Sequence, residues 1–293
     1  MSYACFLNRG DVALLMAYKS FTTLTRILKR CLISGLSSTQ IKTIALIAMT
    51  LDHIGTYCAL FPLIDRCQGL LHTIGRAAAP LFLFCMAQSI IHTHSKGRFL
   101  ARMYFAAVAT GICNTVVGSC LSISFTNIYH SFVWVIVITL FLDKAVEHWH
   151  SEKRVKSLLI VMVVPSVVFA TSIIQELING SSGEYIDMFG VFFQSIEKTE
   201  YSSVFIMLGV AWYYCKRKSH ACVILITLSI ISFFTPTGLS QFSFICGEQW
   251  AIVLSVPIIA LYNGKRGKNI KSFFYFYYPV HKYALAVVAK ILD

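Results

Sequence analysis

IKTIALIAMTLDHIGTYCALFP, residues 41–62, is an apolar run broken near its middle by an adjacent acid and imidazole, Asp52 and His53. Its length matches the roughly 20 residues that a helix needs to cross a bilayer. The apolar residues are continuous rather than alternating, so the run reads as a helix and not as a barrel strand. Further runs of this kind fall at about 69–91, 99–120, 127–143, 156–176, 200–215, 220–236, 249–263 and 273–291. The composition agrees. Hydrophobic residues make up 57% of 293 positions and charged ones only 13%, with a mean hydropathy of +0.69. A soluble domain carries about 25% charged residues, and a chain this apolar has more apolar surface than its own interior can hide. Backbone polar groups have no water partner in hydrocarbon, so each span must satisfy them internally. The expected fold class is an all-α, polytopic transmembrane helix bundle of about nine spans (eight to ten).

Lys and Arg give the orientation. One set of alternate connections carries nineteen of them, from Lys19, Arg26, Lys29, Arg30 and Lys42 through to Lys265, Arg266, Lys268 and Lys271; the other carries Arg66, Lys198 and Lys290. That asymmetry puts the basic side and the N-terminus in the cytoplasm, with the protein multi-pass in the cell membrane. It also explains a net charge of +12 without nucleic acid as a partner. Residues 1–37 hold an apolar patch, Val12 to Tyr18, too short to span. They form an interfacial or little-structured segment ahead of a membrane domain at 38–293.

Ten cysteines are scattered without CxxC or zinc-like Cys/His spacing, so no metal is expected. Cys67, Cys120 and Cys246 fall near connections on the far side, where they are close enough in topology to pair. No phosphate-binding glycine loop and no internal repeat of the transporter kind is visible.

Ionisable residues inside spans are costly and mark function by default. Asp52 and His53 lie near the middle of the first span, Arg76 about 10 Å below the far surface in the second, and His281 about 12 Å above the basic one in the last. A common polar cavity is within reach of all of them. A neutral imidazole beside a carboxylate suits proton removal from a nucleophile. Asp52 and Arg76 also have a plainer reading, as an ion pair between two helices, and His281 as a packed histidine. His72 is the blander of the intramembrane histidines. Lys42, Arg98, Arg102, Lys265 and Arg266 gather at the basic side, as anchors to lipid head groups or as a site for a polyanion. At the far side Asn114, Asn127, His130, Glu248, Gln249 and Trp250 offer a polar entry, with Trp250 equally a member of an interfacial aromatic belt.

Three stretches together resemble the TraX family of conjugation-associated bacterial membrane proteins: IKTIALIAMTLDHIG (41–55), IGRAAAPLFLFCMAQSIIHTHSKGRFLARM (74–103) and QWAIVLSVPIIALYNGKRGKNIKSFFYFYYPVHKYAL (249–285). The likeness runs over about 38–292, by hydropathy alone between about 143 and 240. It implies acetylation of the N-terminus of conjugative pilin. A wider similarity to integral membrane acyltransferases rests on Lys42 and His53, a basic residue and a histidine with ten residues between them. It rests also on Pro80-Leu81-Phe82-Leu83-Phe84 followed by Arg98 and Arg102, although the paired arginines here are four apart where those enzymes have three.

The expected function is therefore an acyltransferase, an N-acetyltransferase on the TraX likeness, taking acetyl-CoA from the cytoplasm to an acceptor protein or small molecule reached from the far side, pilin among the candidates. His53 is the expected general base, Asp52 its neighbour, Arg76 the oxyanion partner and His281 a second acid/base or positioning group. Lys42, Arg98, Arg102, Lys265 and Arg266 are expected to hold the CoA phosphates. The rival classes are a proton-coupled transporter, using the same groups as a relay, and a non-catalytic pilus-assembly protein.

Overall fold

The computed structural model describes residues 33–59, 61–179, 190–196, 199–215, 217–235 and 247–292. Among them the chain is helical, with no strand and a single isolated bridge between Leu36 and Tyr262. The helices are α1 (Ser38–Tyr57), α2 (Pro62–Gly75), α3 (Ala78–Ile91), α4 (Lys96–Leu121), α5 (Ile128–His150), α6 (Arg154–Asn179), α7 (Ser202–Tyr214), α8 (Lys218–Phe234), a 3-10 segment η1 (Gly247–Ser255), α9 (Val256–Ala260) and α10 (Lys271–Leu292). Four stretches are long and apolar enough to cross a membrane: Pro62–Ile91, Lys96–Leu121, Ile128–His150 and Arg154–Ile174. The segment expected at 1–37 lies outside the described residues except for its last five.

Helix α1 starts on a capping box. The Ser37 hydroxyl accepts from the Gln40 amide, and the Gln40 side chain accepts from the Ser37 amide at 2.8 Å, which satisfies two of the donors a helix start leaves open. Its first turn is also bonded to a loop some 227 residues away. Leu36 N donates to Leu261 O (2.7 Å), Ser38 N to Lys265 O (2.8 Å) and Thr39 N to Arg266 O (3.1 Å). Gly267, at φ +80°, lies where a side chain would strike Ser37. The NGKRG loop is thus pinned to the start of the first helix.

The second expected span is a broken helix, α2 and α3, with a turn at Arg76-Ala77. Pro80 explains the break: its nitrogen cannot donate to the Arg76 carbonyl and its ring crowds that position. Broken backbone at membrane depth is tolerated where protein or a cavity surrounds it. Helix α3 then runs through the centre, with Leu81, Leu83, Phe84, Ala87 and Ile90 fully buried. Trp212 stacks edge-on against Phe84, ring centroids 5.8 Å apart. Gly209 lets α7 come this close, because a Cβ there would sit 2.7 Å from Leu83 and 2.9 Å from Val135. Small residues at such crossings are how membrane helices associate when hydrophobic burial gives no drive. Helix α6 is the opposite case, its Val155, Leu159, Met162 and Phe169 all more than 60% exposed as a lipid-facing surface requires.

Two bonded clusters tie the basic ends of helices together. Lys96 Nζ donates to Asp143 (2.5 Å) and to the Tyr213 hydroxyl (2.6 Å), joining α4, α5 and α7. Lys218 Nζ donates to the carbonyls of Ala260 (2.6 Å) and Tyr262 (2.9 Å), joining α8 to the end of α9. Cys67 and Cys120 are free and exposed; Cys246 lies outside the described residues.

Candidate functional site

Two cavities of similar size enter the bundle from opposite ends. The cavity at the basic end, about 300 Å³, is bounded by α1, α3, α4, α5, α10 and the 262–270 loop. Lys42, Arg102, Arg266 and Lys268 line it, and among the described residues no carboxylate does. Of the five residues expected there, Lys42, Arg102 and Arg266 face this space. Arg98 and Lys265 do not; both are exposed outside it. For Arg98, its place one turn from Arg102 on α4 was insufficient, because only Arg102 is drawn in over the Phe99 ring, 5.7 Å from its centroid. Lys268 was missed. Its loop position is set by Thr39, whose hydroxyl lies 2.8 Å from the Lys268 carbonyl and 2.9 Å from that of Arg266.

The second cavity, about 310 Å³, is lined by Asp52, His53, Thr56, Tyr57, Arg76, Ser124, Thr126, Glu200, Tyr201, Gln249 and Lys282. Three expected residues, Asp52, His53 and Arg76, share this chamber. The fourth, His281, lies behind it, 93% buried, and holds His53. Pro279 gives α10 its geometry here. The proline leaves the Tyr275 carbonyl without its helical partner, and the Tyr129 hydroxyl donates to that carbonyl at 3.2 Å.

The histidine pair has a readable tautomer. His281 Nδ1 lies 2.7 Å from the Tyr277 carbonyl, which can only accept, so Nδ1 carries the proton. With both rings neutral, His281 Nε2 is then the acceptor for His53 Nδ1, 2.7 Å away. His53 Nε2 is left as a lone pair on a ring that lines the chamber. A histidine held this way by a second group is the arrangement used to present a general base. The rings are stacked as well, His53 on His281 at 4.9 Å and His281 on Tyr277 at 5.0 Å between centroids.

Asp52 does not orient His53, and it is not paired with Arg76. Its Oδ1 meets His72 Nδ1 at 2.9 Å. The pairing follows from Gly75. A Cβ at that position would overlap the Asp52 side chain, so α2 can lie against the carboxylate only because Gly75 has none. Arg76 is left with a buried Nε that has no hydrogen-bond partner among the described residues. A guanidinium so placed is a ready partner for an anion formed in the chamber. Opposite it, Lys282, 3% exposed, donates to the Thr126 carbonyl at 2.9 Å, and the Tyr278 hydroxyl donates to Glu200 at 3.0 Å.

The remaining polar residues of the far end are mostly structural. Asn127 caps α5 and donates to the Ala107 carbonyl (2.8 Å), and Asn114 accepts from the Tyr283 hydroxyl (2.7 Å). Trp250 packs against Phe233, while Gln249 faces the chamber. His130 is buried with Nε2 unbonded, and the side chain of Glu248 lies outside the described set.

Residues 37–289 match the family described as TraX protein. The chain belongs to the TraX family. The match takes in every residue of both cavities and of the histidine pair. No curated protein and no solved structure matches the chain, so the geometry of this TraX protein is read from its own residues.

Proposed function

We propose that this TraX protein is an integral membrane acyltransferase that moves an acetyl group from acetyl-CoA, bound at its basic end, to an amine or hydroxyl entering from the other end. The observation that carries the reading is the His53–His281 pair, whose free Nε2 belongs to the chamber while the basic cavity ends one helical turn away on α1. The N-terminal amine of pilin is the acceptor that family membership puts first. The helical segments among the described residues, nine when α2–α3 and η1–α9 are each taken as one, and the Lys/Arg asymmetry support a cytoplasmic N-terminus and a basic end facing the cytoplasm, where acyl-CoA is found.

Four cations without a counter-charge suit the phosphates of CoA. From Lys42 to His53 is about 16 Å along the helix axis, a span that an extended pantetheine arm can bridge. The acceptor nitrogen or oxygen then attacks the thioester carbonyl carbon, and His53 Nε2 takes its proton. Arg76 meets the oxyanion of the tetrahedral intermediate. The C–S bond breaks, and the thiolate leaves as the thiol with the proton from His53. His281 and the Tyr277 carbonyl hold the imidazole in its tautomer and stabilise the charged form, positioning roles rather than contacts with the reacting atoms.

The test is purified protein with radiolabelled acetyl-CoA and a peptide bearing a pilin-like free N-terminus. Wild type is expected to acetylate the peptide, and His53→Ala to lose about 10²- to 10⁴-fold in rate. Undiminished transfer in the variant removes His53 from the mechanism. Proton flux in vesicles without CoA binding would instead point to a proton-coupled transporter, and neither activity to an assembly scaffold.

A further inference from the structure

The two cavities change over within very few residues on three separate elements. On α1 Met49 lines the basic cavity and Asp52 and His53 line the chamber. At the start of α5 the change falls between Thr126 and Ile128, and on α10 between Tyr278 and Lys282. The wall between the cavities is therefore about one helical turn thick, some 5 Å. Met49, Ile128 and Tyr278 fill it, each 8% exposed or less.

Tyr278 is fixed there more firmly than its neighbours. Its hydroxyl accepts from Ile128 N (3.1 Å) and from Lys282 Nζ (3.4 Å) and donates to Glu200 (3.0 Å). Its ring lies against Tyr129, centroids 5.1 Å apart, and under the Lys282 ammonium at 4.9 Å. The side chain thus belongs to both spaces, with its ring on the wall of the basic cavity and its hydroxyl bonded to two residues of the chamber.

We propose that Tyr278 is the partition between the two cavities, an aromatic shutter that keeps chamber water out of the basic cavity until a ligand arm from that side displaces its ring. On the acyl-transfer reading, on which this consequence rests, the shutter prevents water from replacing the acceptor. Without it, water attacks the thioester carbonyl, the C–S bond breaks, and acetate, CoA thiol and a proton result. The partition itself requires no chemistry, since an apolar constriction of this thickness is enough to interrupt a water path.

The full-length protein in liposomes loaded with a pH-sensitive dye tests both parts. After a pH jump with valinomycin present, Tyr278→Ala is expected to leak protons about tenfold faster than wild type, and Tyr278→Phe, which keeps the ring but loses the hydroxyl's bonds, to exceed wild type by clearly less. Met49→Ala thins the same wall without losing a hydrogen bond, and its smaller rise keeps the test alive if Tyr278→Ala does not fold. In detergent, without acceptor, Tyr278→Ala should release acetate from acetyl-CoA faster than wild type does. A wild-type leak in both alanine variants overturns the partition, as does Tyr278→Phe leaking as fast as Tyr278→Ala. Leak without acetate release leaves the partition standing and counts against acyl transfer instead.

Discussion

The two cavities are almost equal in volume and opposite in electrostatic design. Among the described residues, one has four cations and no carboxylate on its walls; the other has two cations, two carboxylates and a histidine. In the first, the charged ends are on long, exposed or half-exposed side chains, and the charge they share is unbalanced. In the second, Asp52 is tied to His72, Glu200 to Tyr278 and Lys282 to Thr126, while among the described residues His53 Nε2 and Arg76 Nε are ionisable groups left open. Unbalanced charge attracts a polyanion, whereas balanced charge leaves the local chemistry to the groups that stay open. On the acyl-transfer proposal, holding and reacting fall to different ends of one bundle.

Substitutions should separate along the same line. His53→Ala is expected to reduce kcat about 10²- to 10⁴-fold with little change in KM for acetyl-CoA; a change confined to KM would erase the distinction between the ends. His281→Ala should cost about 10²-fold in kcat through loss of the tautomer lock, with His281→Gln recovering part of it, since the amide can both donate to Tyr277 and accept from His53. Arg266→Glu should raise KM for acetyl-CoA about tenfold and leave kcat near wild type, an effect that fades in high salt, while Lys265→Glu, outside the cavity, should do much less. Smallest is Gly75→Ala, which has to push Asp52 from its place. A loss of about 1 to 3 kcal/mol should appear as a lowered thermal midpoint in detergent, and an unchanged midpoint would show that α2 and Asp52 are less tightly fitted than their geometry requires.

Much of this could be read along the chain, and the reason is local periodicity. His53 announced itself as an imidazole in the middle of an apolar run, and Lys42 and Arg266 as charges flanking such runs. What could not be read is distance between remote segments. His53 and His281 are 228 residues apart, so their bond has no local signature. Charge alone offers Arg76 as a partner for Asp52, whereas the absent side chain of Gly75 decides for His72. Pro80 did carry a legible signal, a missing donor within an apolar run, and it explains why the second span breaks beside the chamber. Lys218 shows the converse: a cation in a basic turn that spends its protons on the carbonyls of Ala260 and Tyr262 is a cap and not a ligand-binding group.

The bonds from Leu36, Ser38 and Thr39 to the 261–266 loop set an order of assembly. At a synthesis rate of 5 to 20 residues per second, the first helix emerges about 10 to 50 s before the loop that completes its start and the helix that supplies His281. Until then neither the basic mouth nor the histidine pair exists. A nascent or truncated chain therefore has its first helix but neither cavity in final form, and on the acyl-transfer proposal it can neither bind acyl-CoA nor use it. The histidine pair and the basic mouth are complete only once the last helix is in place.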